Sequence, residues 1–202
     1  MDVISSVVYS DKDAINYILL LHSKNGKVDL DPCYSVGNFY NKTEIEKPKY
    51  RLDLTSQTEG VVQADVRNIP LDVKVDTIIF DPPFMFGGNK GLHGKQVNNK
   101  MNKRFTMFFN FEELKNVYVG ALKEFHRLLN KKGIVAFKCQ DYTDSKTTMT
   151  HCLVYNWAIE EGFYPKDLFI LISKNRIFNP SLTQRHSRKF HSYWWVFEKK
   201  GV

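Results

Sequence analysis

The chain of 202 residues lacks the features that would mark a membrane-spanning, secreted or zinc-binding protein. No stretch approaches the roughly 20 consecutive apolar residues that a transmembrane helix requires, so no membrane partner is expected. Residues Met1 to Ser6 lack the basic start and apolar core of a signal peptide. The cysteines Cys33, Cys139 and Cys152 are odd in number and match no zinc-site spacing, so we expect reduced thiols and a cytoplasmic protein.

Acidic residues are absent from two stretches, 85–105 and 173–192, although the whole chain has 22 of them. The basic residues of these stretches are Lys90, Lys95, Lys100, Lys103, Arg104, Lys174, Arg176, Arg185, Arg188 and Lys189. Because the net charge is +7, the rest of the chain is slightly acidic. Basicity confined to two predicted loops indicates contact with a polyanion such as a nucleic acid. The alternative is that both loops are solvated segments that aid solubility.

Helix-like and strand-like segments alternate along the chain, without internal repeats or a low-complexity linker. This alternation predicts a single α/β domain over residues 1–202, with a mostly parallel sheet flanked by helices. Helices are predicted from Ser10 or Asp11 to about residue 25, over 111–129 with Asn110 and Glu113 as a capping box, and over 147–161. Strands are predicted over 27–31, 49–53, 61–64, 75–80, 134–137, 168–172 and 193–197. The last two strands leave no room for a helix between them, so we expect an antiparallel hairpin with a long loop.

The most informative segment is Asp81-Pro82-Pro83-Phe84, which follows the predicted strand at 75–80. Open α/β sheets bind their ligands at the carboxyl ends of strands. Pro83 has no N–H, and Pro82 biases Asp81 away from helical geometry, so the strand should end in a stiff, extended turn. Such a turn offers a carboxylate, prolyl carbonyls and an aromatic ring, which suit a planar heterocycle with an exocyclic amine. The alternative is an ordinary turn that ends the strand.

Acidic residues also follow the first three predicted strands, at Asp31, Asp53 and Asp65. Like charges at one sheet edge repel each other unless a ligand with donors or cationic character joins them. The loop after Asp31 contains Gly37, where the backbone can approach a ligand closely, although a glycine there is also ordinary turn chemistry. Asp53 lies at a spacing that suits ribose hydroxyls. Asp65 could accept from an adenine amino group or cap its own turn.

These residues resemble the class I S-adenosylmethionine-dependent methyltransferases, and among them the amino-methyltransferases of nucleic acids, over nearly the whole chain. Asp81-Pro82-Pro83-Phe84 resembles the Asp/Asn-Pro-Pro-Tyr/Phe signature of N6-adenine enzymes. The segment from Asp31 to Gly37 is similar to the family's cofactor loop, with Cys33 and Ser35 where Phe and Gly are usual. The end of the chain, 188–197, is similar to small phage and prophage methylases. The resemblance implies a Rossmann-like class I methyltransferase fold, with a seven-stranded, mostly parallel sheet, a C-terminal antiparallel hairpin and helices on both faces.

The resemblance also implies a cofactor and a division of roles among the site residues. The cofactor is S-adenosyl-L-methionine, with S-adenosylhomocysteine as product, and no metal is expected. The residues that match the cofactor-binding positions are Asp31, Cys33, Gly37, Asp53, Asp65 and Val66. The catalytic segment is Asp81-Pro82-Pro83-Phe84. Asp81 and the Pro82 carbonyl would accept the two amine hydrogens, and Phe84 would stack on the base.

The resemblance leaves the substrate open between three hypotheses. The first is adenine N6 in DNA. The second is adenine or guanine in RNA, which ranks after DNA. It gains some support because the chain has no room for the separate target-recognition domain common in sequence-specific DNA methylases. The third is a nucleic-acid-binding subunit without activity, for which Ser35 in the cofactor loop is the best support. Under the first two hypotheses, the loop at 85–105 could close over the target strand.

Overall fold

The structure is a computed structural model that describes residues 3–41, 43–86, 108–143, 146–173, 185–187 and 189–201. Most of the two predicted basic loops, at 87–105 and 174–184 together with Arg188, lies outside the described residues. In the described part of the chain, no helix is both long and apolar enough to cross a membrane.

The described strands are β1 (Val7–Val8), β2 (Leu30–Asp31), β3 (Tyr50–Asp53), β4 (Val62–Gln63), β5 (Val75–Phe80), β6 (Leu129–Cys139), β7 (Tyr142–Thr143), β8 (Thr147–Thr148), β9 (Phe163–Ile172) and β10 (His191–Lys199). The described helices are α1 (Asp11–His22), α2 (Phe111–Leu128) and α3 (Thr150–Glu160).

One sheet holds eight of these strands in the order β1-β9-β10-β6-β5-β2-β3-β4. Neighbours from β6 to β4 run parallel, as do β1 and β9, whereas β10 is antiparallel to both β6 and β9. Trp195 of β10 therefore lies between Leu168 and Phe137. The mostly parallel sheet and its antiparallel C-terminal hairpin are confirmed. The eighth strand, β1, has only two residues, too few to produce a periodic pattern.

Two of the helices begin at capping residues that were predicted from the sequence. The Ser10 hydroxyl accepts from the Asp13 amide (3.1 Å), and the Asn110 side chain accepts from the Glu113 amide (2.9 Å). The third helix, α3, begins at Thr150 rather than at 147, because β8 pairs antiparallel with β7 just before it.

Strand β6 is longer than the predicted strand at 134–137. It begins at Leu129 and continues through Lys131-Lys132-Gly133, which lie between the predicted helix at 111–129 and the predicted strand at 134–137. Its register with β5 shifts between Leu129 and Ile134, and Lys132 adopts a left-handed conformation with φ of 59°. Because of this irregularity, β6 can include residues 131–133, although their composition is typical of a turn.

Alternate residues of the central strands feed two apolar cores, one on each face of the sheet. Ile78 and Phe80 of β5 join the core that α2 and α3 cover, whereas Ile79 joins the core that α1 covers. Trp194 is buried in the α1 core and Trp195 packs against the other, as expected for neighbours on a strand. The helices therefore cover both faces and leave the carboxyl edge of the parallel strands between them.

Candidate active site

The carboxyl ends of four parallel strands meet at one edge of the sheet. Asp31 and Asp53 are the last residues of β2 and β3, and Asp65 and Asp81 follow the ends of β4 and β5. Because β2, β3, β4 and β5 pair in parallel, the four aspartates that the sequence singled out lie along this edge.

The segment Asp81-Pro82-Pro83-Phe84 forms a corner that is anchored on one side and open on the other. The hydroxyl of the buried Tyr118, on α2, donates to the Pro83 carbonyl at 2.7 Å. In the described residues no such bond is made to the Pro82 carbonyl. Pro82 is buried, but the Asp81 side chain is 24% exposed and Phe84 is partly exposed. The corner is therefore rigidly placed and still accessible at its carboxylate.

Asp81 faces a lysine that the sequence analysis did not single out. The Nζ of Lys138, on the neighbouring strand β6, lies 3.5 Å from Asp81 Oδ2 and 2.8 Å from Oδ1 of Asp11, the first residue of α1. Burial raises the pKa of Asp81 to about 6, while the charge of Lys138 opposes the rise and that of Asp11 adds to it. Asp81 is therefore a carboxyl whose ionisation depends on its neighbours.

Lys138 is almost completely buried, with 8% of its surface exposed. Its ammonium lies 5.4–5.7 Å from the ring centroids of Phe39, Phe84 and Trp194, a distance at which cation–π attraction operates. Burial lowers the pKa of Lys138, but Asp81 and Asp11 more than offset this, so its pKa lies above the usual value. The ammonium is therefore held charged in an aromatic box that includes one face of Phe84.

Asp31 is 2% exposed and is held by two donors. The Tyr40 hydroxyl donates to Oδ2 at 2.8 Å, and the Cys33 amide donates to Oδ1 at 2.9 Å. Burial raises the pKa of Asp31 to about 7 despite these bonds, and the charges of Asp81 and Asp53 raise it further. Burial also raises the pKa of the Cys33 thiol well above its usual value, and the charge of Asp31 adds to this rise.

The loop after β2 has the tight geometry of a ligand-binding turn. Ser35 and Gly37 both adopt left-handed conformations, with φ of 51° and 70°. The Ser35 amide donates to Asp53 Oδ2 at 2.8 Å, and the Thr55 amide donates to Asp53 Oδ1 at 3.0 Å. Because a carboxylate has about four acceptor sites, Asp53 keeps capacity for further donors. The buried ring of Tyr34 packs directly against the Cα of Gly37.

Asp65 is engaged in a different way from the other three aspartates. Arg67 pairs with its carboxylate through two guanidinium nitrogens and donates to it from the backbone, at distances of 2.5–3.1 Å. The hydrogen bonds from Arg67 lower the pKa of Asp65. The neighbouring Val66 is partly buried against the α2 core. The Asp65 side chain is thus committed to the turn, which was the alternative open from the sequence.

A second polar cluster lies at the ends of β6 and β10 and was missed by the sequence analysis. Asp141, 6% exposed, accepts from His151 Nδ1 (2.7 Å) and from the Tyr193 hydroxyl (3.3 Å). His151 stacks on Tyr193 at 4.2 Å, and His191 Nε2 is 3.0 Å from the Tyr193 hydroxyl. The Cys152 Sγ lies 3.3 Å from His151 Nε2. Asp141 follows the fifth predicted strand as the other aspartates follow the first four, so the same pattern extended by one strand finds it.

Outside the strand-end aspartates, the structure offers a cleft but no metal site among the described residues. In the part of the chain that the structure describes, no three His, Cys, Asp or Glu residues are placed to hold a metal ion. A cleft of about 300 Å³ is lined by Leu19, Asn25, Glu44 and Ile45, among others. It lies at the carboxyl end of α1, whereas Asp11 lies at the amino end, so the cleft is separate from the Asp81 corner.

No protein-family model and no curated protein matches the sequence. Solved structures resemble the fold at low identity. TrmN from Thermus thermophilus superposes with a TM-score of 0.52 and 17% identity over 93% of this chain, which spans only 48% of that protein. An rRNA methylase from Streptococcus thermophilus superposes with a TM-score of 0.52 and 13% identity, over 99% of this chain and 100% of the other. The chain therefore has the α/β Rossmann-like fold of the methyltransferases, with its antiparallel C-terminal strands.

Proposed function

We propose that this protein is an S-adenosylmethionine-dependent methyltransferase that methylates an exocyclic amine of a nucleobase, with adenine N6 in DNA as the first candidate. The observation that carries the proposal is the position of the Asp81 corner. It follows β5 directly, beside three other strand-end aspartates, and its carboxylate is accessible.

The cofactor would lie along the carboxyl edge, from β5 to β4. Asp53 would accept ribose hydroxyls with the acceptor sites left by its two amide donors. The loop from Asp31 through Cys33 to Gly37 would approach the methionine part, and Asp31 would support that loop from below through its bond to the Cys33 amide. When bound, the cofactor supplies an already activated sulfonium methyl group.

The adenine end of the cofactor fits the residues less simply. Because Arg67 occupies the Asp65 carboxylate, that carboxylate can meet the adenine amino group only if Arg67 moves aside. The remaining recognition would come from the turn backbone around Asp65 and the side chain of Val66.

The protein's own part in the reaction is to position the amine. Asp81 and the Pro82 carbonyl accept its two hydrogens, which draws the nitrogen toward tetrahedral geometry and frees its lone pair. Phe84 stacks on the base with the ring face that Lys138 leaves open, which contributes about 1–3 kcal/mol. A base in a duplex must first be flipped out.

Two features support a nucleic acid as substrate. The net charge is +7, and the basic residues concentrate in the two stretches that follow β5 and β9. RNA is the second candidate, because one of the solved structures that the chain resembles over its full length is named an rRNA methylase.

The test is transfer of a tritiated methyl group from the cofactor to purified DNA and, separately, to total RNA. We expect Asp81→Ala to reduce transfer about 100-fold or more while cofactor binding changes little. Asp53→Ala should instead weaken cofactor binding about 10- to 100-fold by calorimetry. Exposed Asp72→Ala is the matched control and should change neither. Substantial turnover by Asp81→Ala would refute the role of the corner.

A subunit without activity remains the competing hypothesis, because Ser35 occupies a left-handed position that usually takes glycine. It would be established if the protein bound no S-adenosylmethionine at millimolar concentration but still shifted DNA or RNA on a gel.

A further inference from the structure

We propose that Lys138 is a positioning residue for Asp81. The Lys138 ammonium is held mainly by Asp11, so it stabilises the charge of Asp81 and leaves the Asp81 oxygens free to receive the substrate amine. This inference rests on the proposed function, because it concerns how the corner is kept ready to accept hydrogens.

The two carboxylates hold the lysine unequally. The Lys138 Nζ lies 2.8 Å from Asp11 Oδ1, a strong charge-assisted hydrogen bond, but 3.5 Å from Asp81 Oδ2, which is the limit for such a bond. Coulomb attraction falls only inversely with distance, so at 3.5 Å the charge keeps about four fifths of the attraction it would have at 2.8 Å. The lone pairs of Asp81 therefore stay available while its negative charge is compensated.

Asp11 is itself fixed in place, which makes the unequal sharing a property of the fold. It is the first residue of α1, and the Nε1 of the fully buried Trp194 donates to its Oδ1 at 3.0 Å. Trp194 also forms one wall of the aromatic box around Lys138. The same indole thus orients the carboxylate that anchors the ammonium and packs against the ammonium.

Burial and the charge of Asp11 on α1 make the charge of Asp81 costly. The charge of Asp81 in turn raises the pKa of its neighbours Asp31, Cys33, Tyr40 and Tyr118. Among the described residues, Lys138 is the cation that offsets the cost of the Asp81 charge. Without it the pKa of Asp81 would be higher, which favours the protonated carboxyl, and a protonated carboxyl accepts an amine hydrogen poorly.

The experiment is a carbon-13 titration of the Asp81 carboxyl by NMR on the isolated protein, with no substrate. We expect the midpoint to rise by at least one pH unit in Lys138→Met, which keeps the length of the stem but removes the charge. Lys138→Arg should stay close to the parent protein. Asp11→Asn should lower the midpoint, because it removes a negative neighbour and frees the ammonium to move toward Asp81. Lys12 is exposed and lies next to Asp11 in the sequence. Lys12→Met removes one positive charge from the surface and should leave the Asp81 midpoint unchanged.

The pH profile of methyl transfer gives the second measurement. In Lys138→Met the acidic limb should move upward with the NMR midpoint. If the midpoint rises from about 6 to 7, the ionised fraction of Asp81 at pH 7 falls about two-fold, so kcat should fall at pH 7 by at least this factor and recover toward pH 9, with KM for the cofactor nearly unchanged. An unchanged Asp81 midpoint in Lys138→Met, or in Asp11→Asn if the first variant does not fold, overturns the inference. A shifted midpoint in a protein that methylates neither DNA nor RNA instead overturns the proposed function and leaves the role of Lys138 standing.

Discussion

Gly37 shows how one residue can set the shape of the candidate cofactor loop. Its φ of 70° lies in the left-handed region, and a Cβ built on it would lie 2.5 Å from the Tyr34 hydroxyl and 2.6 Å from the ring carbon that bears it. Tyr34 cannot easily move away, because it is 5% exposed and stacks on Tyr40 with ring centroids 5.5 Å apart. The position therefore requires glycine for two independent reasons.

Gly37→Ala should reduce the free energy of unfolding by about 2–4 kcal/mol, because backbone strain and overpacking add. Gly26→Ala is the matched control, since Gly26 has a φ of 68° but nothing within 4 Å of its Cβ position. It should cost only about 1–2 kcal/mol, from the backbone alone. Urea unfolding of both variants measures the difference, and equal losses would show that contact with Tyr34 does not constrain the loop.

The aspartates of the site could be found from the sequence, but their partners could not. A strand followed by an acid is a local pattern, and parallel strands bring such patterns to one edge. Lys138 meets Asp11 and Asp81 only because β6 lies beside β5 and α1 begins at the same edge. A lysine within the apolar segment 134–139 is a signal that a buried charge needs partners, but it does not say which.

Among the elements, the helices α2 and α3 begin in contrasting ways. The N-cap residue of α2, Asn110, accepts from the Glu113 amide, whereas the N-cap residue of α3, Met149, has no side-chain acceptor. At the amino end of α3 the acceptor comes from outside the helix: the side chain of Asp141 accepts a hydrogen bond from the His151 amide at 3.2 Å. One helix is thus capped by local sequence and the other by the fold.

Asn110→Ala should destabilise the protein by about 1 kcal/mol, the usual cost of losing a side-chain cap, and Asn110→Asp should restore most of it. Met149→Ala, at the matching position of α3, should be close to neutral because no cap bond is lost. Thermal unfolding followed by circular dichroism measures all three. A loss at Met149 as large as that at Asn110 would contradict the assignment of the caps.

Sequence periodicity locates every long element, although β6, β9 and β10 extend beyond their predicted strands, and it does not locate all of the short ones. The segment 75–80 was predicted with the bounds of β5, and 111–129 is within one residue of α2. Strands of two residues, such as β1 and β8, exist only because a partner strand is present, and no local pattern encodes the partner. The start of β6 was missed for the same reason, since pairing with β5 overrides the turn-like composition of 131–133.

For the whole molecule, the buried aspartates make stability depend on pH in an unusual sense. The pKa of Asp31 is raised to about 7 in the folded protein and is near 3.9 in an unfolded chain. Between these two pKa values the folded state binds more protons than the unfolded chain. The contribution of Asp31 to the free energy of unfolding is therefore fully present below about pH 4 and is lost as the pH rises to about 7. Asp81, whose pKa is raised to about 6, acts in the same direction.

In the parent protein, Asp31 should lower the free energy of unfolding by on the order of 2–4 kcal/mol between pH 4 and pH 7. Asp31→Asn should remove this decrease and so flatten the dependence on pH. Asp65→Asn is the opposite case: the pKa of Asp65 is lowered, so its contribution is present at neutral pH and is lost on acidification. Urea titrations at several pH values measure both. Parallel curves for Asp31→Asn and the parent protein would show that Asp31 is ionised in the folded state throughout this range.

The place of β10 in the sheet has a consequence for how the protein is made. This strand comes after β6 and β9 in the chain, yet it lies between them. On the ribosome, β6 and β9 must therefore emerge with facing edges unpaired and wait for β10 to be translated. Open edges of this kind recruit strands from other chains, so nascent copies should need chaperone protection during this interval.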